Sequence, residues 1–448
     1  MQVTLQKGDL MISQRIRNFK LGTLHQTQVT GSAGMALLLT FAQDLGLGKE
    51  FDRSFSHLKQ RQRGYSVSAL LLSFLRMVIQ GGDRLNDLDL LDADPGLLAL
   101  TRMPSVPRPN TVAELARKFR RRDVHLLAEI GMRMAARALR ARQPKRLILD
   151  IDSTLIPSDM RMAKMTYDGF RGFNPLLGMV RGGGLNLPAF SVFRLGNEAP
   201  QEHNVSLVRK NIRFLKAHLP KTPIVVRSDS AGYNHRLMKT CDREGVGFVI
   251  GGRETEAIPP LIRRIRRWET LRGSRGKEEV GETIHFLGPE KEGAAYRLVV
   301  VRRKKDQGAL FPEYGFSYRL YVTNTDWSRS KVVRFYRKRG DAENVIKELK
   351  DGFGIDHVLS EEFLAAAVFF QLQLLAHTLV QVFKAVHLES SWGVLRIKQL
   401  RFRLINIAGV VVRHARTTVL RLSVRYRYFE TFRSVFQKLN IRTAELQL

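Results

Sequence analysis

Short runs of apolar residues, some of them alternating with polar ones, occupy the middle of the chain and predict β-strands. The strand patterns there cover residues 146–152, 188–194, 223–229 and 248–250. Helical patterns cover residues 201–219 and 233–244, and the glycine-rich residues 169–184 predict a hairpin region. Three strands followed by alternating helix and strand are the order that an RNase H-like fold requires, so we expect an α/β core of that type.

A second group of alternating segments follows, at residues 282–287, 296–302 and 318–323. Their period of two predicts strands, although an RNase H-like core needs no further strands at this point. We therefore expect a β-rich insertion that interrupts the core before its last part.

The residues before the predicted core repeat their apolar positions at helical spacing, over residues 35–45 and 67–79. A proline-rich breaker then precedes Thr111 and Glu114, which have the spacing of a capping box and predict a helix from Thr111 through Arg122. Short helices and a basic helix fit a small DNA-binding domain of helix-turn-helix type. They fit a plain helical bundle with a basic surface equally well.

The most apolar run of the chain is residues 363–383. It contains Gln371, Gln373 and His377, which are too many polar groups for a span that faces lipid. The run therefore predicts a buried helix, with Ser360 as its cap.

These patterns divide the chain into five predicted parts. They are an N-terminal helical region that binds DNA ends (1–140), the first part of the RNase H-like core (141–254), the β-rich insertion (255–326), the second part of the core (327–386) and a basic C-terminal region (387–448). A chain of 448 residues is long enough for several such units.

The charge of the chain narrows the class of partner. Lys and Arg number 74 against 42 Asp and Glu, a formal net charge of +32, which favours a polyanion such as DNA, RNA or an anionic membrane. The polar groups in residues 363–383 make a membrane the weaker choice. Residues 1–7 contain no apolar signal core, so we expect the protein to stay in the cytoplasm. A single cysteine, Cys241, excludes an internal disulfide framework and a cysteine-cluster zinc site.

One basic segment combines acidic and phosphate-binding side chains. At about 100° per residue, Tyr336, Arg339, Glu343, Lys347 and Lys350 lie on one helical face, within roughly 40° of Glu343. A second face is apolar and can pack on a core. The segment therefore predicts a helix that presents one carboxylate among four groups able to bind phosphate oxygens. Taken alone, Arg339 and Lys350 also fit an ordinary charged surface.

The spacing of Tyr336, Arg339, Glu343 and Lys350 resembles the YREK signature of the DDE transposases of bacterial insertion sequences. The resemblance covers roughly residues 146–351 and includes an inserted β domain. It implies an RNase H-like fold, metal-dependent cleavage of DNA strands at the ends of an insertion sequence, and transfer of those strands to target DNA by a cut-and-paste route.

The resemblance also assigns the site residues. Asp152, in an Asp-Ser-Thr setting, Asp229 and Glu343 are implied as the catalytic carboxylates and as the ligands of two Mg²⁺ or Mn²⁺ ions. Asp150 lies on the same face of its strand as Asp152, so either could be the ligand, and the Asp-Ser-Thr match favours Asp152.

DNA contacts follow from the same resemblance. Tyr336, Arg339, Lys347 and Lys350 are implied to hold phosphates near the cut end, in a homodimer that pairs two terminal inverted repeats and acts on target DNA of the bacterial nucleoid. Trp268 and Trp327 are candidates to stack on an unpaired base if the ends pass through a hairpin, and a buried core position is the alternative for each.

Some other functions remain possible, and others are excluded because the sequence lacks the residues or the spacing that they need. An RNase H-like nuclease that cuts without joining has similar carboxylates, and an inactive DNA-binding regulator has a similar charge. A nucleotide-binding loop is absent, and Gly182–Gly184 lacks the spacing of a dinucleotide fingerprint. Cys241 fits a buried position rather than a nucleophile.

Overall fold

The computed structural model describes residues 28–59, 63–199, 201–274, 276–288, 293–304, 315–414 and 417–439. The first 27 residues of the predicted N-terminal region therefore lie outside the described residues. Helices fill the described part of that region. In chain order its elements are β1 Val29–Thr30, α1 Met35–Asp44, α2 Leu47–Phe55, α3 Val67–Gln80, α4 Asp87–Asp92, α5 Pro95–Thr101, α6 Pro109–Lys118 and α7 Arg121–Ala141.

Helix α6 departs from its predicted bounds at both ends. It begins at Pro109, because a proline at the first helical position loses no hydrogen bond and already has a helical φ. It ends at Lys118, since Phe119 is extended and buried. The basic residues that follow start α7 instead, where Asp123 accepts a hydrogen bond from the Arg120 amide.

The central part of the chain forms five strands of the large sheet. The elements are β2 Leu147–Ser153, β3 Ile156–Pro157, β4 Lys164–Met165, β5 Arg171–Phe173, β6 Leu176–Gly182, β7 Leu185–Pro188, α8 Asn204–His218, β8 Ile224–Ser228, α9 His235–Arg243 and β9 Gly247–Gly251. Strands β2, β6 and β7 are antiparallel neighbours, and β8 and β9 continue parallel to β2 on its other side. This arrangement confirms the predicted RNase H-like core. Its third strand is β7, which starts and ends earlier than the predicted 188–194.

The strands of the predicted insertion extend the same sheet. The elements are α10 Ile258–Arg263, β10 Glu269–Thr270, β11 Glu278–Leu287, β12 Ala294–Lys304 and β13 Phe316–Thr323. Strand β13 pairs antiparallel with β9, with Tyr321 opposite Gly251. Among the described residues the sheet therefore has nine strands, in the order β10-β11-β12-β13-β9-β8-β2-β6-β7.

The rest of the chain is mainly helical. The elements are α11 Arg329–Arg337, α12 Gly340–Phe353, α13 Phe363–His387, α14 Ser390–Gly393, α15 Ile397–Leu400, a π-helical turn Arg401–Ile405, β14 Gly409–His414, β15 Thr417–Arg421 and α16 Phe429–Lys438. Strand β1 pairs with β14, and β14 with β15, so the two ends of the described chain meet in one small sheet.

Two predictions for these helices were wrong in detail. The segment with Tyr336 and Glu343 is two helices, because the Arg339 amide bonds the Tyr336 carbonyl in a tight turn and Gly340 follows. Ser360 does not cap α13, which starts at Phe363; its hydroxyl accepts from the Glu362 amide in the preceding loop.

Helix α13 is the central helix of the fold, as its apolar sequence predicted. By length and composition it could cross a membrane, but 89% of its most apolar window is buried inside the fold. It packs against α3, α6, α7, α12 and β7. Two of its buried polar side chains donate hydrogen bonds there: Gln371 donates to the Ser191 carbonyl at 3.1 Å, and Gln373 donates to the Gly354 carbonyl at 2.6 Å.

Candidate active site

Two aspartates meet at one end of the central strands. Asp152 is the second-last residue of β2, and Asp229 directly follows β8, the parallel neighbour of β2. The carboxyl ends of parallel strands lie at the same edge of a sheet, which brings these residues together. Asp229 is fixed by its own turn, because its carboxylate accepts a hydrogen bond from the Ala231 amide at 2.9 Å.

Helix α12 brings the third carboxylate to this edge. Glu343 lies in its first turn, and Arg339 directly precedes the helix. The Arg339 Nη1 atom donates to Asp152 Oδ2 at 2.8 Å, and its Nη2 atom lies 2.8 Å from Glu343 Oε1. One guanidinium thus joins a carboxylate of the sheet to a carboxylate of the helix. The Asp152 side chain is 15% exposed and that of Glu343 is 56% exposed, so the site opens toward the helix side.

The charges at this edge do not balance. The pKa of Asp152 is raised to about 6, mainly by burial, with smaller contributions from the charges of Asp229 and Glu343 and against the opposing effect of Arg339. Three carboxylates are close enough to repel one another, and one guanidinium neutralises them only in part. Such an arrangement gains stability from an additional cation.

The donor set suits a hard divalent cation. Mg²⁺ and Mn²⁺ prefer carboxylate oxygens and need few protein ligands, and Asp152, Asp229 and Glu343 supply oxygens only. A tighter group of metal-type ligands lies in the loop before α8: one ligand atom each of Glu198, Glu202 and His203 lie within 4.8 Å of one another. That group is mostly exposed, and exposed acidic groups are common without an ion.

Asp150 has a different partner. Arg227 of β8 donates to both of its carboxylate oxygens, at 2.6 Å from Nε and 2.8 Å from Nη2. Both side chains are buried, with 0% of Arg227 and 3% of Asp150 exposed. Both oxygens of Asp150 therefore bind Arg227, whereas Asp152 is the aspartate of β2 on which the charges of Asp229 and Glu343 act.

Comparison with known families now decides the class. The family described as Transposase DDE domain group 1 matches residues 23–443. The chain belongs to this transposase family. Among solved structures, the chain is similar to a piggyBac transposase, determined by cryo-EM as a synaptic complex with hairpin DNA, at 14% sequence identity and a TM-score of 0.45; the match covers 82% of this chain and 79% of that one. No match is found among curated proteins.

The other residues of the predicted signature in this DDE transposase have different surroundings. Lys350 contacts the segment after β2, because its Nζ donates to the carbonyl of Leu155, three residues after Asp152, at 3.0 Å. Tyr336 packs on Tyr321 with ring centroids 4.7 Å apart, and burial raises its pKa to about 12. Lys347 is exposed on α12.

The two candidate tryptophans of the transposase do not join the carboxylates. The Trp327 ring stacks against Arg146, whose Cζ lies 4.4 Å from the ring centroid. Arg146 precedes Asp152 by six residues, about 20 Å along β2, so Trp327 lies toward the opposite end of the sheet. Trp268 packs under Arg302 of β12, with Cζ at 4.2 Å. Strand β12 is four strands from β2, about 19 Å away.

Sequence patterns missed Arg227 as a residue of this region. A signal was present: an arginine follows three apolar residues in the strand 224–228, and it precedes Asp229 by two residues, as Asp150 precedes Asp152. A charged residue inside a buried strand needs a buried partner, and the matching position on the neighbouring strand supplies one.

Proposed function

We propose that this chain is an active transposase that cuts DNA strands at the ends of an insertion sequence and joins them to target DNA by a cut-and-paste route. One observation carries the proposal: Arg339 links Asp152 to Glu343 beside Asp229, at the carboxyl end of the two central parallel strands. Membership of the DDE family supports the class of enzyme, and the position of these side chains supports their role in the chemistry.

Asp152, Asp229 and Glu343 are the residues that would hold two divalent ions, Mg²⁺ or Mn²⁺. Such ions, when bound, neutralise the scissile phosphate and lower the pKa of an attacking water or 3′-hydroxyl. The protein contributes rigidity. Asp152 is held by a strand buried in the sheet, Asp229 by its hydrogen-bonded turn, and Glu343 by a helix whose other face packs through Ile346 and Leu349.

The substrate is double-stranded DNA, first the terminal inverted repeats and then the target. Tyr336, Arg339, Lys347 and Lys350 bind phosphates at the cut end, in the manner of the YREK group. The excess of basic residues supports long contacts with duplex outside the site, through the N-terminal region 1–140 and the basic C-terminal region 387–448. The working form is a homodimer on two paired ends, acting on nucleoid DNA in the cytoplasm.

The test pairs cleavage with binding on duplexes made from the DNA that flanks the reading frame. Asp152→Asn, Asp229→Asn and Glu343→Gln keep the shape of each side chain and remove its charge. Each is expected to abolish Mg²⁺-dependent cleavage and to leave the gel shift unchanged, since binding rests on phosphate and base contacts elsewhere. Asp351→Asn is the matched control, because Asp351 is an exposed carboxylate on the same helix as Glu343. Full cleavage by any of the three variants contradicts the assignment.

A target plasmid in the same reaction separates the rival functions. Joined products support a transposase, and cut ends that never join indicate an RNase H-like nuclease. A wild-type chain that shifts the duplex and neither cuts nor joins it, with Mg²⁺ or Mn²⁺, indicates an inactive DNA-binding regulator.

A further inference from the structure

We propose that Arg227 is a positioning residue, which holds β2, β8 and the end of α11 in the one arrangement that brings Asp152, Asp229 and Glu343 together. The inference rests on the proposed function, because it concerns the geometry of those three carboxylates.

The first link joins the two strands. Arg227 and Asp150 are direct partners in the parallel pairing of β2 and β8. Each precedes a site aspartate by two residues, and residues two apart in a strand point to the same face, about 6.6 Å apart. The bidentate contact at 2.6 and 2.8 Å therefore lies just below the two site aspartates and fixes the strands relative to each other on that face.

The second link joins the strands to a helix. The Arg227 Nη1 atom donates to the carbonyl of Phe335 at 2.7 Å, and its Cζ lies 5.1 Å from the centre of the Phe335 ring. Phe335 lies in the last turn of α11, where carbonyls have no partner within the helix. Arg339 follows four residues later and Glu343 four residues after that. The guanidinium thus fixes the point from which the chain turns into α12.

A role in stability alone does not account for this choice of residues. Burying an ion pair costs solvation, and well-packed apolar residues in its place are often as stable. The planar guanidinium of arginine can donate hydrogen bonds to a carboxylate and to a carbonyl in fixed directions at the same time. The compact ammonium group of lysine cannot. Asp150 and Arg227 join the two strands that lead to Asp152 and Asp229 to α11, the helix that directly precedes the one carrying Glu343.

The experiment measures Mn²⁺ binding by the full-length protein without DNA, from the electron paramagnetic resonance signal of the free ion. Arg227→Lys keeps the charge and loses the fork. We expect Mn²⁺ to bind about tenfold to a hundredfold more weakly, as when a group that orients a metal ligand is lost. Arg133→Lys is the matched control, because Arg133 pairs with the buried Glu50 between α2 and α7, away from the site. It is expected to lower the melting temperature and leave Mn²⁺ affinity unchanged.

A double variant, Asp150→Leu with Arg227→Met, covers the case in which Arg227→Lys folds poorly. It removes both buried charges, so it is expected to melt at or above the wild-type temperature and still bind Mn²⁺ more weakly. Wild-type Mn²⁺ affinity in a folded Arg227→Lys or in the double variant overturns the inference, provided that Asp152→Asn loses binding. If Asp152→Asn binds Mn²⁺ as the wild type does, the proposed metal site itself fails.

Discussion

The Arg339 guanidinium donates a hydrogen bond to the Asp152 carboxylate at 2.8 Å, across 187 residues of sequence. The same guanidinium reaches a carboxylate oxygen of Glu343. A cation of the protein itself therefore stands among the oxygens that we assign to divalent ions, and its removal has consequences that can be measured.

Replacing Arg339 by alanine is expected to strengthen Mn²⁺ binding at pH 8 by at least about fivefold. A single positive charge about 4 Å from a divalent ion costs about 2 kcal/mol even in water, and Arg339 also competes for the same oxygens. Electron paramagnetic resonance of free Mn²⁺ provides the measurement. Arg337→Ala is the control, because Arg337 pairs with Glu278 instead. Weaker Mn²⁺ binding by Arg339→Ala shows that the guanidinium orients the ligands rather than competes with the ion.

Asp152→Asn is expected to raise the melting temperature of the metal-free protein at pH 8. Burial raises the pKa of Asp152 from 3.8 to about 6, so the folded state binds its proton more tightly than the unfolded chain does. The ionised side chain therefore costs stability, up to about 3 kcal/mol, with the full cost above pH 6 and none below pH 3.8. Asparagine resembles the protonated form and avoids this cost.

Calorimetry in EDTA at pH 8 and at pH 4.5 tests this sign. The difference between Asp152→Asn and the wild type should shrink at the lower pH, where the wild type is largely protonated. The exposed Asp351→Asn should melt with the wild type at pH 8. A variant that melts below the wild type at pH 8 shows that the contact with Arg339 outweighs burial.

Lys350→Ala is expected to weaken binding to a pre-cut DNA end more than binding to an internal repeat segment. Its ammonium group is held at the carbonyl of Leu155, three residues after Asp152, so in the proposed site it would meet a phosphate near the cut. Loss of one phosphate contact should reduce the slope of log affinity against log salt concentration for end binding by about one. Gel shifts with both duplexes at several salt concentrations give the comparison.

Lys221→Ala serves as the control for that experiment. Lys221 is exposed just before β8, at the end of the strand opposite to Asp229. Equal losses on the two duplexes for Lys350→Ala would place it on a general basic surface.

Cys241 is expected to resist thiol reagents until the protein unfolds. The side chain is completely buried on α9, and burial raises the pKa of its thiol, so little thiolate forms and none is accessible. Labelling in native buffer at pH 8 should be about a thousandfold slower than in 8 M urea. Because the chain has one cysteine, the reaction with a chromogenic thiol reagent reports this site alone. Fast native labelling would mean that α9 opens locally.

Local patterns located most strands of the core and the insertion, but they placed the third core strand at residues 188–194, later than β7 Leu185–Pro188. They could not show that β13 pairs with β9, since that pairing joins residues about 70 positions apart and depends on register. The break between α11 and α12 was missed for a related reason: helical spacing continues through Lys338 and Arg339, and only the hydrogen bond to Tyr336 ends α11.

The candidate site shows the same contrast between what local patterns predict and what depends on long-range contacts. Asp152, Asp229 and Glu343 could be selected because each has a local setting, at the end of a strand or within a spaced motif. Arg227 has no motif, and its importance depends on Asp150 and Phe335, 77 residues before it and 108 after it. Trp268 and Trp327 were candidates by residue type, and the sequence could not show that their rings pack against Arg302 and Arg146.

Helix α13 limits how the N-terminal region can be exchanged between members of the family. It follows Glu343 in sequence, yet it packs against α3, α6 and α7 of the N-terminal region. A chimera that takes its first 140 residues from a relative would place foreign side chains against Phe369, Leu372 and Leu375 in the shared core. The N-terminal helices therefore cannot be transferred to another protein without the face of α13 on which they pack. For the DNA-end binding that we propose for this region, new specificity would have to arise at exposed positions, or the matching face of α13 would have to change with the helices that pack on it.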